Sequence, residues 1–93
     1  MSVIVRVTAT GHLTSPAFPL RVLSATCKAT GVQSYGRIFD GVPGSGGVEK
    51  IPLQCPAGQS IQKTYENLIL NDLYVDLGGN NGVEFIDLEI ETP

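Results

Sequence analysis

The chain has few of the side chains that do most enzymatic chemistry. Among its 93 residues there is one histidine, His12, and there are two cysteines, Cys27 and Cys55. A lone histidine excludes a histidine acid/base pair or a multi-histidine metal site within one subunit. Two cysteines without C-x-x-C spacing supply neither a disulfide framework nor a metal or redox motif. A zinc site from His12, Cys27 and Cys55 would still lack a fourth ligand. No apolar run is long enough to cross a bilayer. Residues Met1 to Val7 show no charged segment leading into an apolar stretch and a small-residue cleavage site. The expectation is a soluble chain with no membrane partner, whose two thiols stay free.

Cations are missing from the last third. Arg6, Arg21, Lys28, Arg37, Lys50 and Lys63 all precede Thr64, accompanied only by Asp40 and Glu49. From Thr64 onward there are seven acids, Glu66, Asp72, Asp76, Glu84, Asp87, Glu89 and Glu91, and no Lys or Arg. The basic residues are spaced singly and without interleaved aromatics, which argues against a nucleic-acid partner. The split has two readings. Early strands lie beside late ones and the charges pair across a sheet, or unlike faces of neighbouring copies meet.

The segment FDGVPGSGGV, Phe39 to Val48, has G-x-x-x-x-G spacing from Gly41 to Gly46. A phosphate-binding loop needs a Lys and then a Ser or Thr after the second glycine, and a helix whose amides face the anion. Here Gly47 and Val48 follow, and Pro52 and Pro56 forbid a helix. The segment is read as a turn hinged at Pro43-Gly44, and no nucleotide or other cofactor is expected. No G-x-S-x-G elbow occurs. Asp72 and Asp76, on one strand, would stand about 13 Å apart, too far for a glycosidase pair. Tyr35, Tyr65 and Tyr74 could line a sugar platform, or lie at rims and interfaces. No catalytic, cofactor or metal residue can be nominated, and the chain is read as a non-enzyme.

What is abundant is β-branched residues and turn residues, with eleven glycines and six prolines at short intervals. Ser2 to Thr8 alternates, with Val3, Val5 and Val7 on one side, and Gly11-His12 ends it. From Phe18 to Ala29, Arg21, Leu23, Ala25, Cys27 and Ala29 share one face. Short strands follow from Gly36 to Asp40 and from Val48 to Leu53. Gln59 to Leu70 fits helix or strand, and is read as two extended pieces around Glu66-Asn67, since its neighbours are strands. Leu73 to Leu77 places Leu73, Val75 and Leu77 inward, and Gly78 to Gly82 reads as a hairpin turn. The last strand, Val83 to Glu91, has Ile86, Leu88 and Ile90 inward, and its outward acids would guard an edge. The pattern predicts one all-β domain over residues 1–93, a single antiparallel β-sandwich of jelly-roll type with seven to eight short strands.

In order of segments the sequence resembles a family of small virion proteins of tailed bacteriophages. The resemblance rests on a leading strand and the turn Gly11-His12-Leu13-Thr14-Ser15-Pro16. A short strand then closes in Asp40-Gly41 before a glycine-rich loop. Later come Pro56-Ala57-Gly58 and the run from Asn71 to Gly79, in which Asp72 stands where the family more usually has glycine. This resemblance implies a decoration or cement protein on the capsid surface of the virion, assembled in the host cytoplasm, often as a homotrimer, with the major capsid protein as partner. A tail or head-fibre component is the alternative within the same family. A carbohydrate-binding module for host attachment is a separate one, motivated by the tyrosines and the acidic late segment.

Overall fold

A computed structural model describes residues 2–13, 19–79 and 82–91, which form eight strands and no α-helix. The strands are β1 (Ser2–Val7), β2 (Gly11–Leu13), β3 (Leu20–Ala29), β4 (Ser34–Asp40), β5 (Val48–Cys55), β6 (Ser60–Leu70), β7 (Leu73–Asp76) and β8 (Val83–Glu91). The start of the second expected strand at Phe18, the Thr14-Ser15-Pro16 part of the expected turn, and Asn80-Asn81 lie outside the described residues.

Two four-stranded antiparallel sheets result, ordered β1-β8-β3-β6 and β2-β7-β4-β5. The first strand pairs with the eighth, the second with the seventh, the third with the sixth and the fourth with the fifth. β8 also lies against β3, and β7 against β4. Buried side chains of both sheets form one cluster, with Leu20, Val22 and Cys27 on one side meeting Ile38, Ile51 and Val75 on the other. Each fully buried Leu or Ile contributes about 1.5–3 kcal/mol, so this shared apolar layer holds the sheets together.

Alternation breaks where the ladders break. In β3 the buried apolar residues are Leu20, Val22, Ala25, Cys27 and Ala29, with Ser24 buried beside them, so Arg21 and Leu23 do not share the face of Ala25 as expected. A register shift between Val22 and Ser24 adds a residue to the count, and everything after it turns over. The partner strand is irregular at the same level: Val22 faces Leu68 while Ser24 faces Thr64. That interruption, at Tyr65 to Asn67, is where two extended pieces were expected, and both belong to β6.

Three other expectations are corrected. Gly11-His12 does not merely end β1, because Gly11–Leu13 pairs with β7 in the other sheet. The pairing partner lies some sixty residues away, so nothing local announces the strand. Gly78 to Gly82 is not a β-hairpin turn, since β7 and β8 belong to different sheets and the segment passes between them. Gly78 has φ of 91°, and a Cβ there would fall 2.2 Å from the Tyr35 carbonyl oxygen, so this crossing needs glycine. Finally, β8 lies between β1 and β3, and its acids guard no edge.

Candidate functional site

The glycine-rich segment closes on itself. Ser45 and Gly47 both donate their amides to the Val42 carbonyl, each at 3.0 Å, and the chain enters β5 at Val48. These two amides point back into the loop, the Gly41 amide donates to the Asp72 carbonyl, and a strand stands where the helix of a phosphate-binding loop would begin.

On the outer face of β2-β7-β4-β5, Arg37 is the organising side chain. Its Nη2 donates to Asp76 Oδ2 at 2.9 Å, its Nε lies 3.7 Å from Glu49 Oε1, and its guanidinium sits 5.4 Å from the Phe39 ring centroid. Phe39 in turn meets Tyr74 edge to face at 6.2 Å. His12 Nε2 contacts the Asp72 carboxylate, which lies in the β6–β7 turn and not on the strand with Asp76. Asp40 fixes that turn by accepting the amides of Asn71 and Asp72 at 3.2 and 3.0 Å. Both aspartates once considered as a carboxylate pair thus have different partners. Apart from Arg37 over Phe39, which are two residues apart on β4, the sequence offers no sign of these relationships, because they join residues distant in the chain.

The tyrosines divide. Tyr35 and Tyr74 project from β4 and β7 on this face, separated by the Arg37–Asp76 row, whereas Tyr65 packs against the core from β6. Burial raises the Tyr65 phenol above its ordinary pKa. A three-tyrosine platform is not assembled.

On the outer face of β1-β8-β3-β6 the acids of β8 form a column between cations on both neighbours. Arg6 grips Asp87 through two contacts, Nε–Oδ1 at 2.9 Å and Nη2–Oδ2 at 3.0 Å, and lies 3.9 Å over the Phe85 ring. The Asp87 hydrogen bond holds the Arg6 guanidinium above its ordinary pKa. Arg21 approaches Glu91 at 3.7 Å and Lys28 approaches Glu84 at 3.9 Å. Early cations therefore pair with late acids inside one molecule, the first of the two readings of the charge split. A shallow groove of about 170 Å³ on this face is lined by Ile4, Ser24, Thr26, Gln62, Asp87 and Glu89. It is smaller than the range of about 300–1,000 Å³ usual for small-molecule sites.

The edge of this sheet is less well covered. Among the described residues β1 hydrogen-bonds only to β8, and at its start Val3 is 45% and Ile4 71% exposed, one on each face of the strand. Val5 and Val7 pack against the core further along. Among the described residues every buried side-chain nitrogen or oxygen has a hydrogen-bond partner, and no three His, Cys, Asp or Glu side chains converge.

Neither a family model, nor a curated protein, nor a solved structure matches this chain.

Proposed function

We propose that the chain is a structural virion protein of a tailed bacteriophage, a homotrimer that decorates the capsid, binds the major capsid protein and stabilises the shell. The observation that carries this reading is the edge strand β1, which no described strand covers on its outer side, with Val3 and Ile4 exposed on its two faces. Such an edge presents unpaired backbone groups beside apolar side chains, which suits a polypeptide neighbour better than a small ligand. The two free edges of this sheet, β1 and β6, run in opposite directions. A β6 from the next copy would therefore extend the antiparallel order, and repeated contacts of that kind close into a ring. The resemblance of whole segments to phage virion proteins directs the partner toward the capsid. Binding the assembled shell and not its dissociated subunits would stabilise the shell by mass action.

The jelly roll belongs to the same proposal. Pairing first with eighth, second with seventh, third with sixth and fourth with fifth describes one long antiparallel ribbon wound into two facing sheets.

Two measurements test the function. Light scattering on the isolated protein should give the mass of a trimer. Co-sedimentation with phage heads lacking the protein should show binding, with a rise in their heat resistance. A monomer that ignores heads and leaves their heat resistance unchanged overturns the proposal. Labelled protein found on tails by electron microscopy would move it to the tail-component alternative.

A further inference from the structure

Cys27, two residues before the end of β3, and Cys55, at the end of β5, lie in different sheets and are both fully buried. Both are free thiols, and they meet inside the core. Cys55 Sγ stands 3.8 Å from the Cys27 carbonyl oxygen and donates to the Gln59 carbonyl at 2.8 Å. Burial, with Cys55 beside it adding charge and a hydrogen bond in the same direction, pushes the Cys27 thiol up to about 11. Thiolate is therefore scarce on Cys27 at neutral pH, and that side chain is a poor nucleophile while the fold is closed.

We propose that Cys27 and Cys55 are a latent cross-sheet disulfide, formed by exchange with a small disulfide of the oxidised-glutathione class. Cys55 attacks first. It ends an edge strand beside the turn Pro56 to Gln59, whereas Cys27 belongs to a strand flanked by β6 and β8. That turn is held by few backbone bonds, Gln59 to Pro56, Gly58 to Thr30 and Ala29 to Gln59, so local opening there exposes Cys55 before Cys27. The Cys55 thiolate displaces one glutathione thiolate and leaves a mixed disulfide. Cys27, as thiolate, then attacks the Cys55 sulfur and expels the second. One Sγ–Sγ bond forms, two cysteines are oxidised, one glutathione disulfide is reduced to two thiols, and the two cysteine protons pass to them. The bond would tie β3 to β5 and lock the two sheets together. Once the turn closes again, the disulfide is out of reach of reductant. The chain would thus be made with free thiols in a reducing cytoplasm and locked after release from it.

The test equilibrates the whole protein in oxidised and reduced glutathione at graded ratios, followed by acid quench, alkylation and tryptic mass spectrometry without reduction. Arg21, Lys28, Lys50 and Lys63 place Cys27 in peptide 22–28 and Cys55 in peptide 51–63. The expected product joins these two peptides, is two hydrogens lighter than the pair, and accompanies a rise in thermal midpoint of about 10 °C. Cys27→Ala should stop at the mixed disulfide on Cys55 and show no such rise. Because that variant could fold poorly, Cys27→Ser and the wild-type protein refolded from urea in the same buffers serve beside it. Alkylated free cysteines at every ratio, before and after refolding, would overturn the proposal. So would links only between copies, or a linked form that melts below the reduced one.

Discussion

Arg37 and Asp76 face each other in the β4–β7 ladder, and the Asp76 carboxylate serves two donors at once, Arg37 Nη2 at 2.9 Å and the Gly78 amide at 2.8 Å. One partner is a half-exposed cation, the other the backbone of the crossing between the sheets. The two ends of the pair should therefore differ in what their loss does. Arg37→Ala removes a partly exposed ion pair and should cost about 1 kcal/mol or less. Asp76→Ala also strands an amide, and should cost about 1–3 kcal/mol. Urea denaturation of both variants distinguishes them; equal losses would show that the Gly78 bond contributes nothing.

Gly78→Ala should be among the most damaging single-methyl additions in this chain. It sets a side chain in the left-handed region and drives it into the Tyr35 carbonyl, so a loss of about 2 kcal/mol or more is expected. Gly58→Ala is the control. Its φ is 69°, but the added methyl meets open space, and the expected loss is about 1 kcal/mol. Thermal melts ranking Gly58→Ala below Gly78→Ala in stability would contradict this account.

Alkaline stability should follow Cys27 and Tyr65. Each has a folded pKa raised by burial, so its contribution is complete below the unfolded value and disappears as pH rises through the folded one. For Cys27 that window runs from 9.0 to about 11. The thermal midpoint of the reduced protein should fall across it, Cys27→Ala should flatten the lower part of the fall, and Tyr65→Phe the part above pH 10. Unchanged slopes in both variants would remove the assignment.

Ile4→Lys places a charge on the outer face of the uncovered edge strand, where 71% of the residue is exposed. The single subunit should keep its fold, with a far-ultraviolet spectrum like that of the parent. Under the proposed self-association through this edge, sedimentation velocity should show the variant shifted toward monomer by about tenfold or more, since a charge there must be desolvated in the contact. An assembly of unaltered strength would place the contact elsewhere.

The strands were legible wherever one face alternated without interruption. Leu73, Val75, Ile86, Leu88 and Ile90 are all buried as their spacing predicts. Legibility failed at Leu23 and Ser24, because a bulge adds one residue and no residue type there signals it. It failed again at Gly11–Leu13, whose strand character comes only from β7. The charge asymmetry foretold pairs such as Arg6–Asp87 but not which residues would meet. Arg37 with Asp76, and His12 with Asp72, were illegible for the same reason: topology alone brings them together. Turn chemistry did report that Gly41 to Gly47 is a turn, because Pro43-Gly44 and the glycines after it favour one, and Ser45 and Gly47 both bond back to the Val42 carbonyl.

The pairing of Ser2 with Glu91 also sets a timetable. Of these eight strands β1 is synthesised before the others, yet among the described residues its hydrogen-bonding neighbour is β8, which follows all the rest in the chain. Until residue 91 has left the ribosome, the valines of β1 have no ladder to join and β3 lacks one of its two flanks. Loop closure over nearly the whole chain makes that final step slow. For as long as it is pending, the nascent protein exposes apolar strands in the crowded cell, and temperature or chaperone supply during those seconds should govern yield more than the stability of the finished fold.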